Sequence, residues 1–240
     1  IRKMALLSII VASAIIAQAH ADVLIFGSAP RGDRSSEEAL YNPIAQWLSE
    51  QTGQKIEYEY ANGWLDYQKK MVNNHYALIF DGPAFVAWRQ SYLDHEPIVR
   101  LQEPFTFVIV ARKDNANVDK VSDLVGRSIC AHASPNLGTL LFLSKFDNPA
   151  RQPVIAEIKG WDKAYEGVTS GKCLGTILPN GSLKKFEANG TSTVKIIARF
   201  EAMPNQAFTI STRVNKAVRE KIFEALTRPE PNKDLAKLLT

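Results

Sequence analysis

The stretch ALIFDGPAFVAWR, residues 77–89, decides the fold. Ala77, Leu78, Ile79 and Phe80 are apolar without alternation, as in a strand covered on both faces. A short polar turn, Asp81-Gly82-Pro83, follows, and Pro83 opens a helix where its missing N–H is no loss. Two other stretches have the same form: LIFGSAPRGDRSSEEAL at 24–40 and RSICAHASPNLGTLLFL at 127–143. After each strand, free backbone N–H groups lie at the positive end of a helix dipole, where α/β proteins hold small anions. The third stretch follows an apolar run at 105–112 that reads as a crossover into a second lobe. Polar turns facing one cleft from two lobes point to a binding protein that closes on its ligand.

Working outward, a strand at 23–27 precedes Ser35-Ser36-Glu37-Glu38, which resembles a capping box. Leu40, Ile44, Trp47 and Leu48 then form the stripe of an amphipathic helix, stopped by Gly53. A strand at 55–61, a helix at 64–73, the buried strand at 76–80, a helix at 83–90 and a strand at 97–101 complete a βαβαβ order. That order predicts an α/β, doubly wound, mostly parallel sheet. The second lobe holds strands at 105–112, 127–132, 154–158, 173–178 and 194–200, with helices at 121–125, 136–146 and 161–170. Asn180-Gly181 reads as a turn, as does Asn189-Gly190. A last strand at 207–211 returns the chain across a hinge, and helices at 214–227 and 233–239 rejoin the first lobe.

Residues 1–21 carry a basic start (Arg2, Lys3), an apolar run and an Ala19-His20-Ala21 cleavage site. They read as a secretory signal peptide, giving a mature chain from Asp22 and a periplasmic location. The run is too short for a comfortable membrane anchor. The remainder suits two lobes of roughly 100 residues: 22–106 and 207–240 in the first, 107–206 in the second. Formal charge is +4, but the basic residues are scattered with no run beyond Lys69-Lys70 and Lys184-Lys185, which argues against nucleic acid.

Cys130 and Cys173 are the two cysteines. An even count in an oxidising compartment favours a disulfide. Two buried thiols, or a metal site with His132, are the competing readings. No GxSxG, HExxH, Walker A, GxGxxG or paired CxxC motif occurs, and residues 167–171 fit a helix stop better than a nucleophile elbow. No cofactor is expected.

What remains is recognition chemistry. Ser134, Asn136 and Thr139, with the backbone N–H groups from Asn136 through Leu137 and Gly138, are placed to ring an oxyanion with neutral donors. For Ser134 alone a plain N-cap is as good a reading. Asp81, with Gly82 and Pro83, reaches the C-terminal edge of its sheet, where open α/β sheets bind ligands, as hydrogen-bond acceptor or as helix N-cap. Ser28 ends the first strand at the same edge, and Tyr60, Trp64 and Phe85 supply aromatic walls or core.

As an ensemble these segments resemble the phosphate/phosphonate/phosphite-binding periplasmic proteins of ABC transporters, with the type 2 periplasmic-binding fold. The resemblance rests on Tyr41-Asn42-Pro43-Ile44, on residues 76–83, on Asp123-Leu124-Val125-Gly126-Arg127-Ser128-Ile129, on the turn at 134–139 and on residues 165–171. It implies capture of a small oxyanion for a membrane permease, with Ser28, Tyr60, Asp81, Gly82, Pro83, His132, Ser134, Asn136, Leu137, Gly138 and Thr139 as ligand-binding candidates. Phe85 stands where the family often has Tyr, Gly160-Trp161 where it often has His, and the serine cluster is thinner. These departures leave open which small oxyanion, or other small polar molecule, is bound. A sensor handing the same closure to a receptor kinase, and an enzyme on the same fold using a free Cys130, are the alternatives.

Overall fold

The computed structural model describes residues 22–228 and 233–239. The signal-peptide expectation therefore lies outside the described residues. Among them, no helix is long and apolar enough to cross a membrane.

Two five-stranded sheets form two lobes. The first contains β1 (Leu24–Ser28), β2 (Ile56–Glu59), β3 (Leu78–Asp81) and β4 (His95–Arg100), with helices α1 (Arg34–Thr52), α2 (Trp64–Val72) and α3 (Pro83–Tyr92) between them. β5 (Phe107–Arg112), β6 (Ser128–Ala131), β7 (Val154–Glu157), β8 (Gly175–Pro179) and β9 (Val194–Arg199) build the second. Helices α4 (Leu137–Leu143), α5 (Trp161–Thr169) and α6 (Asn180–Phe186) belong with it. The chain then returns as β10 (Ala207–Ser211), followed by α7 (Lys216–Leu226) and α8 (Lys233–Leu239), which pack on α1.

Strand order is β2-β1-β3-β10-β4 in one sheet and β7-β6-β8-β5-β9 in the other. β1 runs parallel to β2 and β3, and β6 parallel to β7 and β8. The strands that cross between the lobes break the parallel pattern: β10 is antiparallel to β3 and β4, and β5 to β8 and β9. Both faces of each sheet are covered. Along β5, Phe107, Ile109 and Ala111 enter one core and Val108 and Val110 the other, the two-residue period of a strand. In the first lobe Phe26, Leu78, Phe80 and Phe208 meet Ile44, Leu48 and Ile222, while Tyr76 and Ile79 face Tyr67 and Met71 of α2.

Local chemistry departs from expectation in three places. Asp33, not a capping box, caps α1: its carboxylate accepts from the Ser36 N–H at 2.8 Å, and Glu37 turns inward instead. Asn180-Gly181 opens α6 rather than making a turn. The stretch before β6 is a 3₁₀ turn, Val121–Leu124. Gly53 ends α1 as expected, at φ 72°.

Cys130 and Cys173 are bonded, with Cα atoms 5.6 Å apart. Both thiols are thereby consumed, so the free-thiol and metal-ligand readings fall. In the chain-entropy model a loop of this length contributes about 4 kcal/mol. Helix α5 crosses directly over the bond. A Cβ on Gly167 would stand 2.5 Å from Cys130 Sγ, so glycine is what permits the approach.

Candidate functional site

The C-terminal ends of β1, β3 and β6 converge where the lobes touch. Gly160 of the second lobe donates its N–H to the Arg31 carbonyl of the first at 3.1 Å. Beside this contact lies a cavity of about 120 Å³. Pro30, Asn62, Gly63 and Trp64 line it from the first lobe, and His132, Ala133, Glu157, Ile158 and Lys159 from the second. Pockets for drug-sized molecules start near 300 Å³, so this one suits a ligand of a few heavy atoms.

The turn after β1 is filled by the protein's own carboxylate. Buried Glu37 accepts from the N–H groups of Gly32 (2.7 Å) and Arg31 (3.1 Å), from Ser28 Oγ (2.8 Å) and from the Tyr58 hydroxyl (3.2 Å). Burial, reinforced by Glu37, pushes the Tyr58 hydroxyl far above its ordinary range. Ser28 is therefore tied to Glu37 and Tyr58. Tyr60 donates to the Gly32 carbonyl at 3.3 Å, beneath the Arg34 guanidinium, which lies 4.7 Å from its ring centre.

The turn after β3 is likewise closed on its anionic side. Asp81 and Arg89 are wholly buried and paired twice, Nη2 to Oδ1 at 2.6 Å and Nη1 to Oδ2 at 2.7 Å. The Tyr67 hydroxyl donates to the same carboxylate, and burial together with that charge drives it well above a normal phenol. Thr209 of β10 accepts from Arg89 Nε and Nη2 at 3.1 and 2.9 Å. The Asp81 side chain is thus neither an N-cap nor free for a ligand; Gly82 and Pro83 form the accessible part of this turn. Trp64 stacks on Phe85 at 5.9 Å and 16°, so one aromatic lines the cavity and the other backs it.

In the second lobe His132 is 1% exposed, and its Nε2 makes no hydrogen bond. Its ring meets Trp161 edge-on at 4.3 Å. Burial first, and the charge of Arg31 second, lower its pKa to about 4, so the ring is neutral at ordinary pH. Asn136 caps α4 by accepting from the Gly138 N–H at 2.9 Å. Thr139 Oγ1 donates to the His132 carbonyl at 2.6 Å. Gly138 lies against Phe107, which a Cβ there would approach to 2.9 Å. Ser134 is exposed, and Leu137 is partly so.

Sequence reasoning passed over Arg31. The residue is half-buried; its guanidinium donates from Nη1 to Gln206 Oε1 at 2.5 Å, and Nη2 lies 3.9 Å from where a Cβ on Gly82 would stand. The signal was a lone basic residue inside the first strand's turn, hidden behind the hydroxyl and amide pattern.

The fold and cleft define a two-lobed periplasmic binding protein. The family described as ABC transporter, phosphonate, periplasmic substrate-binding protein matches residues 26–240, and this chain belongs to it. A binding-protein component of an ABC phosphonate transporter from Pseudomonas aeruginosa superposes with TM-score 0.68 at 14% identity, covering 90% of this chain and 77% of that one. PhnD1 of Prochlorococcus marinus, solved with methylphosphonate, gives 0.67 at 15% identity over 90% and 88%. An ancestral arginine-binding protein bound to arginine gives 0.57 at 16% over 91% and 93%. At such identities these structures show the shared fold alone. No curated protein matches the chain.

Proposed function

We propose that this chain captures a small phosphorus oxyanion, a phosphonate, phosphate or phosphite, in the cleft between its lobes and presents it to the permease of its transporter. The observation that carries the reading is the small cavity at the meeting of both sheets' C-terminal edges, lined by Trp64 from one lobe and neutral His132 from the other. In this reading Trp64, His132 and Ala133 of the cavity wall face the ligand, with Ser134, Leu137, Gly82 and Pro83 in the turns beside them. Asn136 and Thr139 brace the second-lobe turn, and Ser28, Tyr60 and Asp81 brace the first-lobe turns, through the hydrogen bonds described above. PhnD1's methylphosphonate supports the ligand class, and the family's transport role supports the permease.

The test is native mass spectrometry of freshly purified protein, followed by thermal shift with phosphate, phosphite, methylphosphonate, 2-aminoethylphosphonate and sulfate. A ligand at a hundredfold excess over its Kd adds about 2.7 kcal/mol, which is a rise of roughly 5–10 °C for a chain of this size. Ser134→Ala should weaken that shift and leave the free protein's Tm unchanged. Thr139→Ala, which strips a buried hydrogen bond, should cost the free protein about 1–2 kcal/mol. A chain that no phosphorus oxyanion stabilises would not have this function.

A further inference from the structure

We infer that Arg31 reads the ligand's charge: its guanidinium pairs with two oxygens of the bound anion, so the cleft holds its ligand by charge and not by neutral donors alone. The inference rests on the reading of the cleft given above and names the residue that would discriminate within it. Two carboxylates lie near this arginine, and neither accepts a hydrogen bond from its guanidinium. Glu37 already accepts from four donors, and Asp81 is held by Arg89 and Tyr67. The only side-chain acceptor of Arg31 among the described residues is the neutral amide oxygen of Gln206. Only Nη1 of the guanidinium has an acceptor among the described residues, so Nε and Nη2 keep donors free for an anion's oxygens.

Position supports the same assignment. The Arg31 backbone is fixed on both sides, its N–H by Glu37 and its carbonyl by Gly160 of the opposite lobe. The side chain extends toward the Gly82 turn from the residue next to Pro30, which lines the cavity. His132 is neutral and supplies no competing cation. Lys159 and Glu157, both exposed at the cavity, offset one another. A planar guanidinium is also the side chain best matched to two oxygens of a tetrahedral anion.

The experiment is isothermal titration of the wild type, Arg31→Gln, Arg31→Lys and Lys69→Gln with phosphate, methylphosphonate and 2-aminoethylphosphonate, and with L-arginine as a cationic probe. Lys69 is an exposed lysine on the same lobe and controls for net charge. Arg31→Gln should weaken oxyanion binding at least tenfold in protein that remains folded. Arg31→Lys, keeping charge but losing the fork, should fall between, and Lys69→Gln should match the wild type. Oxyanion binding that survives Arg31→Gln within twofold, or falls equally in Lys69→Gln, overturns the assignment while the proposed function stands. If Arg31→Gln does not fold, Arg31→Lys decides, and unchanged affinity there overturns the paired geometry. A wild type that binds only L-arginine, or nothing in this set, overturns both this assignment and the ligand class.

Discussion

Asp81 sits where an open α/β sheet meets its ligand, yet its carboxylate faces inward to Arg89. The strand, the turn and the position at the sheet edge were legible, because a continuous apolar run ending in Asp-Gly-Pro has few other readings. The partner was not, since Arg89 lies two helical turns on at the end of an amphipathic helix, a place where arginine normally meets water. Only the packing of α3 onto β10 brings its guanidinium under Thr209. Removing one member of such a pair strands the other charge. Arg89→Met alone should cost about 3–5 kcal/mol, whereas Asp81→Asn combined with Arg89→Met should cost clearly less. Urea unfolding of the two variants and the wild type measures the difference.

At the scale of elements, strand identities and both sheets follow the apolar runs, and the disulfide follows the parity of two cysteines in a chain of a periplasmic family. Helix α6 shows where that reading stops. Asn180-Gly181 is a strong local turn signal, but Leu183 is buried, and Phe186 packs on Tyr165 at 5.3 Å, so burial overrides propensity. Gly167 looked like part of an ordinary helix end, yet its missing side chain makes room for the disulfide. Gly167→Ala should therefore destabilise by about 1–3 kcal/mol, the usual cost of overpacking. In a Cys130→Ala, Cys173→Ala background the same change should cost clearly less, because only the Cβ of residue 130, 3.2 Å away, remains. Thermal melts of the four proteins form the cycle, and equal losses in both backgrounds would rule out the clash.

Across the whole molecule, two buried histidines, one in each lobe, make stability depend on pH. Burial first and then a nearby arginine, Arg89 for His95 and Arg31 for His132, hold both near pKa 4. The unfolded chain binds protons near 6.5, so between these values it holds more of them than the native state does. Stability should be full above about pH 6.5 and decline toward pH 4, by on the order of 2–3 kcal/mol per histidine. Urea titrations across this window, compared with His95→Gln and His132→Gln, should show the slope shrink in each variant. Sequence alone counted these histidines as isolated, because their burial and their arginine neighbours arise only when strands distant in the chain meet.

The two crossings between lobes are themselves joined. Leu101 donates to the Gln206 carbonyl at 3.0 Å, and Phe105 and Met203 exchange a pair of bonds, each 3.0 Å. Two straps laced together in this way behave as a door hinge: they flex about the line they define and resist torsion across it. Gln206 belongs to one of those straps and also receives Arg31, so the side chain that reaches toward the Gly82 turn is tied to the pin of the door.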